Sequence, residues 1–486
     1  MARVDLGFFG GLTVAVLGLG KSGLSAARAL KAGGAEVWAW DDNDDSRARA
    51  AAEGLPIVDL TSCDWTQPVS LILSPGIPHS FPAPHPVTEL ARDNNCEIIS
   101  DIELLARAQR GVRFVGITGT NGKSTTTALI AHILGQAGRK VAVGGNLGIP
   151  ALELEPLTQD GIYVLEMSSY QLEITRSITF DVAVLLNISP DHLDRHGGFD
   201  GYVAAKKLVF HRQSLSCTAV IGIDDDTSRG ICEALAAAQE QRVIPVSGRK
   251  TARGGVYVCD GTLIDDSDGK AQEILDLRDL PHLPGEHNAQ NAAAAYAVAR
   301  ALGVPGDRIA QGLRSFGGLP HRQELVDEIE AVRYVNDSKA TNADATARAL
   351  ACYDTVYWIA GGRAKEGGLE GLEVFYPRIA EVFLIGEAEA AFASVLEGRF
   401  PVNRCGTLAK AVSAAAKAAS FARRDHGSNP VVLLSPACAS FDQFPDFEAR
   451  GDAFKAAVAK LRGAPAAASN ADSGAGARSS VGGDAA

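Results

Sequence analysis

Gly116-Ile-Thr-Gly-Thr-Asn-Gly-Lys-Ser-Thr-Thr-Thr127 is the segment whose residue types and spacing speak most directly of chemistry. An apolar run enters it, and a helix-forming stretch, residues 124–137, leaves it. Glycines at such a turn let successive backbone N–H groups face a phosphate, and the helix N-terminus behind them adds partial positive charge. Lys123 can then reach the terminal phosphates of a nucleotide, while Ser124 or Thr125 can hold Mg2+ through its hydroxyl. The strict phosphate-loop pattern wants glycine where Ile117 stands, so this is a shortened form, Gly119-Thr120-Asn121-Gly122-Lys123-Ser124. A ligand-free strand-to-helix turn is the plain alternative, and the Lys-Ser-Thr-Thr-Thr continuation argues against it.

Three further residues fit a nucleotide and metal site. Glu166 ends the apolar run 163–166, where open α/β sheets place ligand-binding groups. His192 lies in Asn187-Ile-Ser-Pro-Asp-His-Leu-Asp194, past the next run. Taken singly, a strand-end Glu caps helices and a loop His hydrogen-bonds more often than either ligates. Lys206 is the more informative. In the helical stretch 201–212, Tyr202, Val203, Val209 and Phe210 surround it at i−4, i−3, i+3 and i+4. Lys206 therefore sits mid-face on the apolar side, and Lys207 is rotated off it. A lysine pointing inward must be paired or lose its proton, unless its stem snorkels to water.

Near the amino terminus, Gly18-Leu-Gly-Lys-Ser-Gly23 follows an apolar run and opens a helix, and Asp41 and Asp42 follow the next run. That spacing is the dinucleotide fingerprint, with an acid placed to grip a ribose or base. By itself it predicts a nicotinamide-dependent dehydrogenase. A phosphate loop later in the chain and Ser74-Pro-Gly-Ile-Pro78 at the end of another run of the same set weaken that reading. They favour a phosphate-bearing ligand other than the nucleotide triphosphate.

Three polar loops stand out in the last third: Asp337-Ser-Lys-Ala-Thr-Asn342, Gly361-Gly-Arg-Ala-Lys-Glu366 and Ser435-Pro-Ala-Cys-Ala-Ser-Phe-Asp-Gln-Phe444. If their strands are parallel, the loops share one edge, where Lys339, Arg363 and Lys365 make a cationic crevice for a small carboxylate. Ordinary helix-capping loops are the bland alternative.

The elements that must position these groups are short β-branched runs, each followed by an alanine-rich helical stretch, which is the pattern of helix-wrapped parallel sheets. Runs at 13–17, 36–40, 71–73 and 97–99 form a first set. A second covers 113–117, 141–143, 163–166, 182–187, 219–223 and 243–246, and a third 332–336, 355–360, 382–385 and 431–434. Residues 285–300 read as a capped helix, and 317–322 (Gly-Gly-Leu-Pro-His-Arg) as a hinge. These divide the 486 residues into domains at 1–109, 110–317 and 318–463, with a disordered tail at 464–486 that has little to bury.

Composition excludes several classes. A net charge of −12 with no long basic block argues against nucleic acid. The 8 cysteines contain no CxxC pair and read as reduced thiols. The amino-terminal segment reads as a first strand instead of a leader, and no stretch reaches the ~20 apolar residues of a membrane span. A cytoplasmic protein is expected.

Together these motifs resemble the Mur ligases of bacterial cell-wall synthesis, from about Val14 to Arg462. The resemblance rests on Gly18–Gly23, Ser74-Pro-Gly-Ile, residues 119–125, Glu166-Met-Ser-Ser-Tyr-Gln-Leu, Asp191-His-Leu-Asp, Leu319-Pro-His-Arg, residues 336–342 and 434–444. It implies an α/β fold of three domains: an amino-terminal Rossmann-like sheet, a central phosphate-loop ATPase sheet and a carboxy-terminal Rossmann-like sheet. It also implies ATP and Mg2+. Catalytic roles fall to Lys123, His192 and Lys206, and metal binding to Ser124, Glu166, His192 and a carbamylated Lys206. Gly119, Thr120, Asn121, Gly122, Lys123, Ser124, Thr125, Asn288, Arg322 and Asp337 would contact ATP. Gly20, Lys21, Ser22, Asp41, Asp42, Ser74, Gly76 and Asn146 would contact a UDP-sugar. Thr341, Lys365, Ser440 and Phe447 would contact the amino acid. No Asp-Asn-Pro-Arg motif of the diaminopimelate-adding members is present, and residues 435–444 are similar to those of the D-glutamate-adding branch. The implied substrates are UDP-N-acetylmuramoyl-L-alanine and D-glutamate, with a monomer expected.

Overall fold

The computed structural model describes residues 4–462 apart from Leu147, Glu366, Gly427 and Ser428. The tail expected at 464–486 lies outside the described residues. Nineteen strands among the described residues form three sheets. The first contains β1 (Thr13–Leu17), β2 (Glu36–Trp40), β3 (Ser70–Leu73) and β4 (Glu97–Ile99) in the order β2-β1-β3-β4, with every pairing parallel. Because β2 and β3 lie on opposite sides of β1, their connections diverge and open a crevice at the carboxyl ends. Gly18–Gly23 and Ser74–Pro78 leave the sheet at that point.

The second sheet contains β5 (Arg113–Thr118), β6 (Val141–Gly145), β7 (Ile162–Glu166), β8 (Val182–Leu185), β9 (Thr218–Gly222), β10 (Arg242–Ser247), β11 (Val256–Cys259), β12 (Thr262–Asp265) and β13 (Gln272–Asp276). Its order is β13-β12-β11-β10-β9-β8-β5-β7-β6. The sequence reading omits β11 to β13, which extend the parallel sheet through antiparallel pairs. The strand expected to reach residue 187 ends at Leu185, which frees Asn187 for the loop.

The third sheet contains β14 (Glu324–Ile329), β15 (Val332–Asn336), β16 (Val356–Gly361), β17 (Ile379–Ile385), β18 (Val402–Gly406) and β19 (Val431–Leu434), in the order β14-β15-β19-β16-β17-β18. β15, β19 and β16 are adjacent and parallel, so their following loops do share an edge. Tyr357 and Ile359 of β16 enter one core while Trp358 and Ala360 enter the other. Burial on both faces explains why the strand reads as an unbroken apolar run. The edge strands β14 and β18 are half-exposed and escaped the sequence reading.

The chain divides into two compact units between Pro320 and His321, inside the segment read as a hinge. The first two sheets belong to one unit, where Val14 and Val16 of β1 share a core with Phe114 and Tyr163. Among the described residues no helix is long and apolar enough to cross a membrane.

Candidate active site

β5 lies between β7 and β8, with Ile117 paired to Glu166 and Thr118 paired to Leu185. The phosphate loop therefore opens with Glu166 on one side and Asn187 on the other. Asn187 holds the loop by three bonds: its carbonyl accepts from Thr120 N at 2.9 Å, its Oδ1 from Asn121 N at 2.9 Å, and its Nδ2 donates to Asn121 O at 3.2 Å. Gly122 has φ +84°, and a Cβ there would stand 2.3 Å from Asn291 Oδ1. Only glycine meets both demands. Lys123 opens the helix Lys123–Gln136 and donates Nζ to the Gly119 and Thr120 carbonyls, each at 2.9 Å, so its ammonium lies over the loop. Ser124 is buried and Thr125 half-buried on that first turn.

A chain of amides supports this helix from the helix Glu286–Ala301. Thr126 Oγ1 donates to Asn291 Oδ1 at 3.1 Å, Asn291 Nδ2 to Asn288 Oδ1 at 3.0 Å, and Asn288 Nδ2 to the Pro284 carbonyl at 2.8 Å. The expected nucleotide contact Asn288 is thus wired to the phosphate loop through Asn291.

Lys206 is 2% exposed, as its place on the apolar face predicts. The helix that carries it spans Phe199–Lys207, so Val209 and Phe210 belong to a following 3-10 turn, Leu208–Phe210, and not to one continuous α-helix. Its Nζ donates to the Gly119 carbonyl at 2.8 Å and lies 4.6 Å from the centroid of the Tyr202 ring. Burial, reinforced by the positive charge of Lys123, pushes its pKa well below the ordinary lysine value, against the pull of Asp191 and Glu166. The structure thus brings Lys123, Lys206, Glu166 and Asp191 into one electrostatic neighbourhood.

Glu166 Oε1 accepts from Asn146 Nδ2 at 2.7 Å, whereas Oε2 is buried with no hydrogen-bond partner. A buried carboxylate oxygen left unpaired calls for an explanation, and a hard cation is one. Among the described residues no cluster of three His, Cys, Asp or Glu side chains converges as a closed metal cage. Mg2+ is ordinarily held by one or two carboxylates plus phosphates and water, so a sparse set fits that ion. His192 has φ +51° and an exposed ring, 5.3 Å from the Tyr170 ring. A non-glycine residue holds that backbone only when its surroundings impose it.

In the amino-terminal crevice, Asp41 is already engaged: Oδ2 accepts from Leu19 N at 2.6 Å and Oδ1 from Asn43 N at 2.9 Å. It shapes the glycine loop from the neighbouring strand. Asp42 pairs with His85 Nε2 at 2.9 Å. Ser74 Oγ donates to the Gly18 carbonyl at 2.9 Å, joining the loops that follow β1 and β3. Gly20 precedes the helix Lys21–Ala32, whose first turn carries Lys21 and Ser22, and Gly76 is exposed. Asn146 is located elsewhere: it follows β6 and binds Glu166, on the second sheet.

The second unit gathers the carboxy-terminal motifs. Asp337 is buried; its Oδ2 accepts from Ser435 Oγ at 2.8 Å and its Oδ1 from Gln323 N at 3.2 Å. Burial raises its pKa to about 7, opposed by Ser435, Gln323 and the nearby charge of Arg322. Lys365 Nζ reaches Thr341 Oγ1 at 3.5 Å. Lys339 Nζ stands 3.8 Å from the Phe447 ring centroid, and the Phe447 carbonyl accepts from Ser338 Oγ at 2.8 Å. Ser440 is buried, and its carbonyl takes the backbone N–H of Phe444 at 2.8 Å. The expected cationic crevice is corrected at Arg363, whose guanidinium makes two bonds to Glu387 at 3.0 and 3.1 Å. Its charge is matched within the protein.

Asn187, Asn291 and Arg450, which the sequence reading did not single out, brace the motif loops. Arg450 is 1% exposed and ties two motif loops together through Ser338 Oγ, the Ser338 carbonyl and the Cys438 carbonyl at 2.8–3.0 Å. A signal for Asn291 existed: Asn288, Gln290 and Asn291 are amides in an otherwise alanine-rich helix. Asn187 and Arg450 carry no comparable local mark.

The Mur ligase middle domain model matches residues 117–299. UDP-N-acetylmuramoylalanine–D-glutamate ligase of Rhodospirillum rubrum is 53% identical over 465 residues, 95% of this chain and 97% of that one. The protein of the same name from Phenylobacterium zucineum is 52% identical over 459 residues, 93% and 97% of the two chains. Among solved structures, the UDP-N-acetylmuramate-alanine ligase of Thermotoga maritima has a TM-score of 0.54 at 17% identity, covering 93% of this chain and 99% of that one. Folylpolyglutamate synthase of Mycobacterium tuberculosis gives 0.52 at 17%, covering 74% and 93%. At those identities the likeness is one of fold. With a phosphate loop between Glu166 and Asn187, a buried lysine on its carbonyl and a relative of half-identical sequence along nearly the whole length, this chain belongs to the Mur ligase family.

Proposed function

We propose that the chain is an ATP-dependent, amide-forming ligase that joins D-glutamate to UDP-N-acetylmuramoyl-L-alanine, releasing ADP and phosphate, in peptidoglycan precursor synthesis. The observation that carries this reading is the extent of the kinship, which spans 95% of the chain and so takes in the motif loops of all three sheets. Residues 1–109 would take the UDP-sugar, 110–317 the ATP and 318–463 the amino acid, in a cytoplasmic monomer.

A carboxylate is a poor acyl donor. Transfer of the γ-phosphoryl group of ATP to the L-alanyl carboxylate makes an acyl phosphate, and attack by the D-glutamate amine then expels phosphate and leaves the amide. This chain's part is positioning and electrostatics. The turn at Gly122 that opens the helix and the Lys123 ammonium would face the phosphates, while Asn187 takes the N–H groups of Thr120 and Asn121 and the amides of Asn288 and Asn291 hold that loop in register. Ser124, Glu166, His192 and, once carbamylated, Lys206 would hold Mg2+, which when bound supplies charge neutralisation to the phosphates. The neutral amine that burial favours at Lys206 is the form able to take up CO2, so this lysine is the proposed site of carbamylation. Thr341, Lys365, Ser440 and Phe447 are the proposed D-glutamate contacts. A nicotinamide reading of Gly18–Gly23 finds no support, because the kinship is to ligases along the whole chain.

Phosphate release from ATP, supplied with UDP-N-acetylmuramoyl-L-alanine, Mg2+ and either D- or L-glutamate, tests the proposal. Release that needs the D-isomer and disappears in Lys123→Ala is expected. Release with another amino acid alone would reassign the substrate.

A further inference from the structure

Residues 74–81, which leave β3, lie against the segment that follows His192, and three contacts fasten them there. Arg195, in the helix Leu193–His196, donates Nη1 to the Gly76 carbonyl at 2.8 Å and Nη2 to the Pro75 carbonyl at 3.5 Å. Glu173 is the second tie, pairing with His79 Nε2 at 3.0 Å and with His196 Nδ1 at 3.1 Å. The third is Phe81, whose ring stands 2.8 Å from where a Cβ on Gly197 would be.

These ties converge on His192. The Arg195 N–H donates to the His192 carbonyl at 3.1 Å. The Arg195 guanidinium lies 4.5 Å from the Tyr170 ring centroid, and that ring contacts His192 and stacks on His196, each at 5.3 Å. Arg195 thus has its fork on one loop and its backbone on the residue whose left-handed conformation must be held in place. A planar guanidinium on two successive carbonyls fixes orientation as well as distance.

We infer that Arg195 and Glu173 are positioning residues that clasp loop 74–81 to the His192 segment, so that a UDP-sugar seated on Ser74 and Gly76 sets the placement of His192 beside the nucleotide. The inference rests on the proposed function, which makes loop 74–81 a substrate loop and His192 a metal-side group. Displacements of about 1 Å in such groups cost on the order of 10²-fold in rate. The clasp therefore acts on turnover and on coupling between ligands, beyond any part it has in stability.

Full-length wild type, Arg195→Ala, Arg195→Lys and Glu173→Gln are compared by calorimetry. The affinity for UDP-N-acetylmuramoyl-L-alanine is measured alone and with Mg2+ plus a non-hydrolysable ATP analogue. Wild-type binding is expected to tighten about fivefold or more when the nucleotide is present. In Arg195→Ala the tightening falls below about twofold and kcat drops about 10- to 100-fold, with KM for D-glutamate unchanged. Arg195→Lys, which keeps one donor for Gly76, recovers part of both. Should Arg195→Ala fail to fold, the near-isosteric Glu173→Gln carries the same test. Tightening that persists in the variants, or is absent from wild type, overturns the clasp. Wild type that does not bind the UDP-sugar at all would instead overturn the proposed function beneath it.

Discussion

Lys206 Nζ donates to the carbonyl of Gly119 at 2.8 Å, the same carbonyl that accepts from Lys123 Nζ at 2.9 Å. One backbone oxygen at the mouth of the phosphate loop therefore anchors two amines. Their mutual repulsion helps keep the buried one neutral.

Replacing Lys206 by Met keeps an apolar stem and removes the amine, while Gly119 retains its bond from Lys123. Phosphate release should fall by about 10²-fold, the scale of losing one preorganised electrostatic group. The folded pKa of Lys206 is lowered, so below the ordinary lysine value of about 10.4 the unfolded chain binds a proton that the folded chain lacks. Its contribution to stability then rises with pH through that window. In CO2-depleted buffer, wild type should gain melting temperature relative to Lys206→Met as pH rises toward the ordinary lysine value. Parallel curves would show that Lys206 is not held neutral.

Asp337 has the opposite sign. Its folded pKa of about 7 exceeds the unfolded value, so the folded chain holds the extra proton between the two. That contribution is complete below about pH 4 and is lost as pH rises through the folded value. Asp337→Asn keeps a partner for Ser435 and Gln323 but does not titrate. It should melt several degrees above wild type at alkaline pH and together with it in acid, with ATP turnover reduced. A difference independent of pH would remove the buried carboxyl as its cause.

Asn291→Ala leaves the Thr126 hydroxyl and the Asn288 carbonyl without their present partners. A cost of about 1–3 kcal/mol in stability is expected from orphaned buried polar groups. KM for ATP should rise while affinity for the UDP-sugar stays unchanged. Equal losses for both ligands would mean general unfolding and not a local defect of the phosphate loop.

Glu166→Gln retains an acceptor for Asn146 but replaces the orphan Oε2 by an amide that ligates metals poorly. The Mg2+ concentration for half-maximal phosphate release should rise at least about tenfold, with melting temperature unchanged or higher. An unaltered Mg2+ titration would remove Glu166 from the metal set.

The sequence by itself determined whatever is local along the chain. A phosphate loop is a contiguous piece of backbone, so its glycines, Lys123 and the helix behind them are legible in one short stretch. The burial of Lys206 is likewise local, because apolar neighbours on one turn to either side define its face. Interior parallel strands announce themselves because both faces are buried, and their order in the chain places the motifs at carboxyl ends. Tertiary structure alone decided who faces whom across strands and between helices. Asn187 grips the loop because β8 lies beside β5, and Asn146 meets Glu166 because β6 lies beside β7; neither register is written in the residues themselves. Arg363 reads as a free cation until Glu387, on the loop after the neighbouring strand β17, is placed against it. β12, β13, β14 and β18 escaped notice because strands with a solvated face or edge mix polar with apolar residues and lose the pattern that marks the core, and β11, though apolar, is only 4 residues long. The clasp from Gly76 to Arg195 joins residues 119 positions apart, a pairing that only the folded chain brings within hydrogen-bonding distance.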